Sequence, residues 1–466
     1  MAAPTPVFES KIRGDASAPR RRLLLLTYHF PPDGAVGGLR WEQMSKFFSA
    51  NGWAIDVIMR DVSKLRSPDM RRMEQLPAHV RVYSAVEIEP WLARMEAGML
   101  RVVRSFRSRT SRAGAAAPTT GRASANGSAP RQKKRWLVHA HASIVRVERD
   151  RAWGRAAIAT GAGLGRANRY DAVVSSGPPH MVHDAARTVA LRLGAPHVMD
   201  LRDPWSAFEL EHGDSTSRLW FAIARHYEKR AVRSAKLVVM NTDLARDEMR
   251  RLYPAAADRI VTVSNGSDDE PIPAVEADGR FVVRFAGSIY MDRNPGPFFR
   301  AAASVARRHR LTPSQFGAEF IGEVEEFAGQ SVRAMAEHEG FGDYLTLGGA
   351  RPRDDALRFA AGATMLLNLP QATHQCVPAK LFEYVRFDSW LLVLAEAHSA
   401  TAKMFQGTDA DVVAPDDVDG MAAVIERRYL EFVDGRRPHA VGRDGRFDRR
   451  RQAELLADHL SRIVEG

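Results

Sequence analysis

Short apolar runs alternate with longer amphipathic stretches along most of this chain, and this alternation is the feature that most restricts its fold. A continuous apolar run is typical of a buried strand, and strands that alternate with helices predict parallel sheets. The runs predicted as strands are 23–26, 55–59, 172–175, 197–200 and 237–240 in the first half, and 281–285, 318–321, 344–347, 365–367, 391–394 and 411–413 in the second. The pattern therefore predicts an α/β protein with doubly wound, Rossmann-like parallel sheets.

The length of the chain indicates two domains. Its 466 residues, of which 45% are hydrophobic, exceed what one hydrophobic core usually serves. The polar, proline-bearing stretch from Asp268 to Gly279 is predicted to join the two domains. We expect a flexible tail over residues 1–21, a first domain over 22–270, a second domain over 271–440, and a C-terminal helix within 441–466.

Two short segments in the second half each place a cation where a strand turns into a helix. One runs from Gly287 to Arg293, and the other runs from Val377 to Tyr384 with Lys380 in its turn. Loops between a parallel strand and a helix are where α/β domains bind phosphate groups. Glu383 follows Lys380 by three residues, and a carboxylate there suits ribose hydroxyls, although the two side chains could instead form a surface ion pair. We expect a nucleotide site.

The first half begins with a comparable strand, glycine loop and helix. The apolar run 23–26 leads into the Tyr-His-Phe-Pro-Pro sequence of residues 28–32 and then into the loop 34–40, which contains Gly37 and Gly38. Glycines that precede a helix let backbone N–H groups approach an anion. The spacing differs from the GxGxxG fingerprint, so it does not predict a dinucleotide-binding fold.

Three polar residues of the first half are predicted to lie at the carboxyl ends of strands, where open α/β sheets bind their ligands. His180 follows a Gly-Pro-Pro turn at a helix start, and Arg202 and Asp203 follow the run 197–200. His180 could contact a sugar or an acceptor, or it could cap and pack the helix. Arg202 and Asp203 could face a ligand, or they could pair with each other.

The whole net charge of +11 belongs to one insertion. Between Ala97 and Val147 the sequence has no acidic residue, and the rest of the chain is neutral. Residues 110–130 are rich in Ala, Ser, Gly, Thr and Pro and are predicted to be disordered. Before them, apolar residues from Leu92 to Phe106 recur at helical spacing, with basic residues broadly opposite.

This basic amphipathic segment permits three interpretations. Arg101, Arg104 and Arg107 could bind an anionic membrane surface, which is the interpretation we favour. The segment could also be an ordinary helix whose apolar face packs on the domain core. Nucleic acid is disfavoured because the insertion has no interleaved aromatic residues for base stacking and no binding motif.

A single cysteine, Cys376, excludes a disulfide framework and fits a reducing compartment. No apolar stretch approaches the roughly 20 residues that span a bilayer, and the first residues lack the apolar core of a signal peptide. We therefore expect a cytoplasmic protein that is peripheral on the inner face of the cell membrane.

Six short blocks of this sequence resemble those of family 4 GT-B glycosyltransferases, and they occur in that family's order between about residues 22 and 400. The blocks are the Tyr-His-Phe-Pro-Pro stretch with its Gly-Gly-x-Arg loop, 175–180, 200–205, 264–266, 287–293 and 380–384. The resemblance implies two Rossmann-like domains that face a cleft. It also implies that donor phosphates lie between the Gly37-Gly38 loop and the cations Arg293 and Lys380.

The resemblance assigns roles to individual residues and shows departures. Arg293 stands six residues after Gly287, as the family's phosphate-binding cation does, but Ser288 replaces the arginine that usually follows the glycine. Glu383 matches the second glutamate of the family's E-x7-E motif, and Gln375 stands where the first would be. Residues 388–390 read Asp-Ser-Trp where relatives usually have Gly-x-Pro.

From the residues and the resemblance together we assign candidate sites. The predicted catalytic residues are His180, Arg202, Asp203, Arg293 and Lys380, and the predicted donor-binding residues are Gly37, Gly38, Gly287, Ser288, Arg293, Gln375, Lys380 and Glu383. No metal or other cofactor is expected, because GT-B enzymes generally need none. The pairs Asp409/Asp411 and Asp417/Asp419 formally match a DxD motif but are predicted to be strand-edge and loop carboxylates.

The resemblance implies a retaining glycosyltransferase that moves a sugar from a nucleotide-diphosphate sugar to a saccharide or polyprenyl-linked acceptor in surface polysaccharide biosynthesis. Two alternatives remain open. One is a GT-B-fold epimerase, which would bind the same donor but require a carboxylate acid and base. The other is a non-catalytic, membrane-associated adaptor of a polysaccharide synthesis complex, because Ser288 and Gln375 depart from the family pattern.

Overall fold

The structure is a computed structural model, and it describes residues 4–10, 12, 19–87, 148–206, 218–268, 270–272, 274–275, 279–371 and 373–465. The predicted basic helix, the predicted disordered loop and Arg101, Arg104 and Arg107 lie outside the described residues. The chain divides into two compact units. The first unit comprises Met1–Met240, Glu248–Val261 and Ala457–Gly466, and the second comprises Asn241–Asp247 and Thr262–Leu456.

The first unit is built around one large sheet. Its elements are β1 (Phe8–Glu9), β2 (Arg21–Thr27), α1 (Leu39–Ala50), β3 (Trp53–Arg60), α2 (Met70–Glu74), β4 (Val80–Ala85), α3 (148–164), β5 (Ala172–Gly177), α4 (Met181–Leu193), β6 (His197–Leu201), α5 (Arg218–Ser234), β7 (Leu237–Met240), α6 (Asp243–Leu252) and β8 (Ile260–Thr262). The start of α6, up to Asp247, and the last residue of β8, Thr262, belong to the second unit. The strand order is β1-β4-β3-β2-β5-β6-β7-β8. The pairs from β4 through β7 are parallel, and β1 runs antiparallel to β4.

The second unit contains a six-stranded sheet. Its elements are β9 (Phe281–Ala286), α7 (Gly296–Arg308), β10 (Phe316–Ile321), β11 (Glu326–Phe327), β12 (Gln330–Ser331), α8 (Val332–His338), β13 (Leu345–Gly348), α9 (Arg353–Ala361), β14 (Met365–Asn368), α10 (Leu381–Tyr384), β15 (Trp390–Leu394), α11 (Ala400–Met404), β16 (Asp411–Val413) and α12 (Val418–Val433). The sheet order is β13-β10-β9-β14-β15-β16, and every pair is parallel. A last helix, α13 (Arg449–Glu465), begins in the second unit and ends in the first.

The sheet of the second unit is buried on both faces, which explains its continuous apolar strands. In β14, Met365 and Leu367 contribute to one apolar cluster, whereas Leu366 between them contributes to a cluster on the other face. The first cluster is rich in phenylalanine, and its rings stack closely, as Phe299 and Phe341 do with centroids 6.0 Å apart. Helices therefore cover both faces, as a doubly wound sheet requires.

The predicted fold class is confirmed. Every run predicted as a strand lies within or overlaps a strand of the structure, including the short β16. Strands β4 and β8 were not predicted. In β4 the half-buried Arg81 and Ser84 interrupt the apolar pattern, and β8 has only three residues. Strands with an interrupted or very short apolar pattern carry too weak a period for sequence reasoning to detect.

Each sheet has a point where the chain order reverses. In the second unit β9 lies between β10 and β14, and in the first unit β2 lies between β3 and β5. Open α/β sheets bind ligands outside the carboxyl ends of the strands at such a switch point. The loops that follow β9 and β14 contain the predicted donor residues, and the loops that follow β2 and β5 contain Gly37, Gly38 and His180.

Candidate functional site

A cavity of about 300 Å³ lies within the second unit, at the carboxyl ends of its central strands. Residues that follow β9, β10 and β13 line it, together with one face of α9 and the segment around α10. The predicted residues Gly287, Ser288, Lys380 and Glu383 all contribute to its wall. The structure thus brings together both second-half segments that the sequence analysis singled out.

Two glycines form a close backbone contact at the wall of the cavity. Gly287 has φ +151° and Gly322, which follows β10, has φ +121°, and side chains rarely adopt either angle. A Cβ atom on Gly322 would collide with the carbonyl oxygen of Gly287. A Cβ atom on Gly287 would lie 2.6 Å from Nζ of Lys380. The glycines therefore make the space that this ammonium group occupies.

Lys380 places a buried ammonium group in the wall of the cavity. Its Nζ is inaccessible to solvent and makes no hydrogen bond to any described residue. It lies 3.9 Å from the centre of the Phe285 ring, which offers only a cation–π contact. Burial lowers the pKa of the ammonium well below its ordinary value, and the nearby charge of Arg293 lowers it further. An uncompensated buried ammonium is costly, so its position favours a bound anion.

Arg293 is held in a defined orientation near Lys380. Its guanidinium lies 4.2 Å from the centre of the Tyr290 ring and donates a 2.9 Å hydrogen bond to the carbonyl of Ser288. Burial lowers the pKa of this guanidinium. In the same loop the backbone of Met291 has a positive φ of +53°. The cavity does not include Arg293 in its wall, but the charges of Arg293 and Lys380 act on each other.

Glu383 does not pair with Lys380. Its carboxylate accepts a 3.1 Å hydrogen bond from Arg353, whose other arm donates to Glu270 at 2.7 Å. Burial raises the pKa of Glu383, and Arg353 opposes that effect. The hydroxyl of Tyr384 bonds the main chain of Ala286 and so fixes α10 against the end of β9. The alternative interpretation, a surface ion pair between Lys380 and Glu383, is therefore not what the structure shows.

Helix α10 comprises only four residues. A single helical turn contributes little helix dipole to the binding of a phosphate. The positive charge near the cavity comes instead from the side chains of Lys380, Arg293, Arg351 and Arg353. Arg351 and Arg353 were not predicted. The basic sequence after the run 344–347 is the signal that could have found them.

Gln375 is buried, and its Oε1 accepts no hydrogen bond from the described residues. Its main chain is fixed, because the hydroxyl of Thr242 donates to its carbonyl at 2.6 Å. The main chain of Gln375 is therefore held in place, while its side-chain oxygen accepts no hydrogen bond from the described residues. Asp388 and Ser389, which depart from the family pattern, bind the main chain of Ala440 and Ala363.

In the first unit Arg202 is buried and donates hydrogen bonds to three main-chain carbonyls. Its guanidinium donates to Gly177 at 3.1 Å, to Pro178 at 2.6 Å and to Gly37. A Cβ atom on Gly37 would collide with the same guanidinium. These bonds hold the loop of Gly37 and Gly38 against the end of β5. They support a structural role for Arg202 that sequence reasoning did not foresee.

The buried carboxylate of Asp200 fixes the start of α1. Asp200 accepts two 3.1 Å bonds from Arg40, a 2.7 Å bond from Nε1 of Trp41 and a 3.0 Å bond from Ser176. Asp203, which was predicted as a site residue, lies near Arg202. Burial lowers the pKa of Arg202, and the negative charge of Asp203 opposes that effect. Asp200 thus joins β6, β5 and α1 around the glycine loop.

His180 stands at the start of α4 but does not cap the helix with its side chain. Its ring stacks on Trp205, with centroids 5.3 Å apart and an angle of 20° between the planes. The buried His183, which hydrogen-bonds Ser175 at 2.8 Å, lies 5.9 Å from His180 between ring centroids. Burial lowers the pKa of His183 well below its ordinary value. Packing therefore fixes the ring of His180.

The DxD-like carboxylates have structural partners. Asp411 lies in β16 and pairs with Arg428 at 2.7 Å, and Asp417 caps α12 by accepting a 2.8 Å bond from the amide of Gly420. Across the described ranges, no group of three or more His, Cys, Asp and Glu residues is arranged to hold a metal ion. In the part of the chain that the structure describes, no helix is long and apolar enough to cross a membrane.

The sequence is similar to that of known glycosyltransferases. The model of the family Glycosyltransferase Family 4 matches residues 95–271. D-inositol 3-phosphate glycosyltransferase of Saccharomonospora viridis is 37% identical over 91 residues, which are 17% of this chain and 21% of that protein. Alpha-D-kanosaminyltransferase of Streptomyces kanamyceticus is 32% identical over 131 residues, 25% of this chain and 33% of that protein. The chain thus spans at most a third of these curated relatives.

The fold is similar to that of solved glycosyltransferases over nearly the whole chain. The Anabaena HepE protein, solved in complex with UDP-glucose, superposes with a TM-score of 0.55 at 13% identity, covering 94% of this chain and 99% of that one. At this identity the likeness shows the fold alone. The resemblance stated from the sequence is confirmed: this chain has the GT-B fold, and the Glycosyltransferase Family 4 model matches its residues 95–271.

Proposed function

We propose that this protein is a glycosyltransferase that takes a sugar from a nucleotide-diphosphate donor bound in the cavity of the second unit. The single observation that carries this proposal is the buried Nζ of Lys380, which has no hydrogen-bond partner among the described residues. A diphosphate beside it would supply the missing negative charge. The location at the switch point of a parallel sheet supports the same conclusion.

Two cations would act on the diphosphate. Lys380 binds it from the wall of the cavity, and Arg293, oriented by the ring of Tyr290, adds a second positive charge nearby. When the bond between sugar and phosphate breaks, negative charge grows on the leaving diphosphate. Fixed cations stabilise that charge more in the transition state than in the ground state, which is the condition for catalysis.

The other predicted donor-binding residues suit the remaining parts of a nucleotide sugar, although Gln375 does not line the cavity itself. Glu383 can accept hydrogen bonds from ribose hydroxyls, because Arg353 favours its ionised form. Gln375 carries an amide with an unused buried oxygen, and in the family pattern its position faces the donor sugar. The amide brings no charge, so it can bind neutral hydroxyls without repelling a phosphate. Ser288 leaves room where most relatives have an arginine.

We propose that the reaction retains the configuration of the sugar and that no metal takes part. In same-face substitution the leaving phosphate helps to remove the acceptor proton, so a protein nucleophile is not required. The cations Lys380 and Arg293 then carry out the charge neutralisation that a metal performs in other glycosyltransferases. His180, with its ring fixed against Trp205, is the candidate contact for a sugar or acceptor in the first unit.

The acceptor proposed is a saccharide, soluble or polyprenyl-linked, of a surface polysaccharide, reached at an anionic membrane face. The support is the concentration of positive charge between residues 97 and 147. Changing Arg101, Arg104 and Arg107 to Glu is expected to release the protein from acidic liposomes at low salt and to leave turnover of a soluble acceptor unchanged. Equal liposome binding by the variant would contradict this part of the proposal.

Donor screening tests the proposed activity. Release of nucleoside diphosphate from a panel of UDP-, GDP- and dTDP-sugars, with a mixed saccharide acceptor pool, is expected with wild type and not with Lys380→Met. Conversion of the nucleotide sugar to an isomer without any acceptor would indicate an epimerase instead. Calorimetry that detects no binding of any nucleotide sugar would favour the adaptor interpretation.

A further inference from the structure

The carboxylate of Glu383 is held by a bridge that sequence reasoning did not predict. Arg353, the first residue of α9, extends one arm to Glu383 at 3.1 Å and the other to Glu270 at 2.7 Å. Arg353 and Glu383 both line the cavity. The exposed fractions of the Arg353 and Glu383 side chains are 35% and 31%, so a ligand in the cavity can reach both.

The outer end of this bridge is itself fixed. The main-chain carbonyl of Glu270 accepts a hydrogen bond from Arg386, and Asp268, two residues earlier, pairs with Arg449. All of these residues belong to the second unit. The guanidinium of Arg353 is therefore anchored on the side away from Glu383 and is restrained from turning into the cavity, where it would meet a phosphate.

Several charged groups act on the Glu383 carboxylate. Burial raises its pKa, the charge and hydrogen bond of Arg353 lower it, Asp268 raises it and Arg386 lowers it. Glu270 faces Arg353 from the other side, and Lys380 and Tyr384 flank Glu383 on its own segment. Among these groups Arg353 is the one whose fork bonds the carboxylate directly.

We infer that Arg353 is a positioning residue for the nucleotide: its fork orients the Glu383 carboxylate toward the ribose hydroxyls of the donor. This inference rests on the proposed function, because it concerns the same cavity. The bond uses one oxygen of Glu383, and among the described residues only Arg353 donates to this carboxylate. The second oxygen is thus available to a hydroxyl pair.

The inference predicts a loss of ribose discrimination in Arg353→Gln. Wild type is expected to bind UDP, or GDP if that base is preferred, about tenfold more tightly than the 2′-deoxy analogue, which corresponds to one hydrogen bond. In Arg353→Gln this ratio is expected to approach one at pH 6. Calorimetric titration with the ribo and deoxy diphosphates measures both values.

The pH profile gives a second measurement that a merely structural bridge would not change. Without Arg353 the pKa of Glu383 rises, so the carboxylate protonates as the pH falls and its hydrogen bonds to the ribose are lost. The ribo-to-deoxy affinity ratio of Arg353→Gln is expected to fall about tenfold from pH 8.5 to pH 6, the factor that corresponds to the loss of one hydrogen bond. The ratio of wild type is expected to remain flat, because titration of Lys380 and of the diphosphate changes the affinities for both analogues alike.

The chain offers matched controls. Arg358, also on α9, is exposed and pairs only locally with Asp355, so Arg358→Gln is expected to behave as wild type. Arg353→Lys keeps a positive charge without the fork and is expected to retain the flat pH profile with reduced ribose discrimination. Glu270→Gln removes the negative charge of the outer anchor and is expected to give an intermediate ratio, even if Arg353→Gln does not fold.

The outcomes separate the inference from the proposed function. If wild type binds neither UDP nor GDP, the proposed function fails. If wild type binds and discriminates, while Arg353→Gln and Glu270→Gln keep its ribose ratio and flat profile, the inference is overturned. Arg353 then stabilises the fold only.

Discussion

Each unit places one buried cation beside a glycine at the carboxyl ends of its strands, but the surroundings of the two cations are opposite. In the first unit Arg202 donates to the carbonyls of Gly37, Gly177 and Pro178. In the second unit Lys380 occupies the space beside Gly287 and makes no hydrogen bond to any described residue. One cation is satisfied by the protein, and the other is not.

This difference distinguishes a structural role from a ligand-binding role at Arg202 and Lys380, two cations that were both predicted from the sequence to be catalytic. A buried charge that the main chain satisfies stabilises the fold, whereas a buried charge without a partner reduces stability and is retained for a ligand. The predictions below test this contrast, beginning with the largest expected effect.

Replacing Arg202 by Met should greatly destabilise the first unit. Three main-chain carbonyls would lose their donor, and a hydrogen bond to a charged group is worth about 1.5–3 kcal/mol. We expect the free energy of unfolding to fall by about 3 kcal/mol or more in urea denaturation. Arg192→Met, at an exposed position on α4, is the control and should change it by less than about 0.5 kcal/mol. An Arg202→Met variant as stable as wild type would contradict the structural role assigned to Arg202.

Replacing Gly287 by Ala should affect both stability and binding. The φ angle of +151° is strained for alanine, with an expected loss of about 1–3 kcal/mol, and the new methyl group would displace Nζ of Lys380. Gly349→Ala, where a Cβ atom would meet nothing within 4 Å, is the matched control. Thermal denaturation and nucleotide titration should show a loss in the first variant only. Equal thermal stability and nucleotide affinity of the two variants would contradict the close contact between Gly287 and Lys380.

Replacing Lys380 by Met should stabilise the free protein, by about 1 kcal/mol at neutral pH. In the native state the pKa of Lys380 is lowered, so the unfolded chain, with a lysine pKa of about 10.4, binds more protons. The stability of wild type therefore rises with pH in this window. The advantage of the variant should be largest near pH 6 and shrink toward pH 10 in denaturation curves. A variant less stable than wild type at every pH would show that Lys380 supports the fold.

The smallest expected effect is that of chelation. Because Lys380 and Arg293 are assigned the charge neutralisation of the diphosphate, EDTA should leave the rate of nucleotide release within about twofold of the untreated rate. Loss of activity that Mn²⁺ or Mg²⁺ restores would show that the two cations are insufficient.

The sequence was sufficient for the architecture because buried parallel strands are continuous apolar runs. The runs 281–285 and 391–394, for example, lie within β9 and β15. Strand β4 was missed because half-buried polar residues break its period. The pairing of Asp56 with Arg81 across adjacent strands shows how tertiary contacts let such a polar residue lie in a strand.

The site was predicted only in part. Spacing was enough to place Gly287, Lys380 and Glu383 together, since all three follow strands that meet at one switch point. Spacing could not reveal that Glu383 pairs with Arg353 rather than Lys380, or that main-chain carbonyls use Arg202. Both facts depend on contacts between residues distant in sequence, which local patterns do not encode.

The most direct test of the central claim, that Lys380 binds the donor diphosphate, is calorimetric titration of wild type and Lys380→Met with UDP and uridine, and with the guanosine pair in parallel. Wild type should bind the preferred diphosphate about 100-fold more tightly than its nucleoside, and the variant should lose most of that difference while its affinity for the nucleoside is unchanged. Equal preference for the diphosphate in both proteins would contradict the claim.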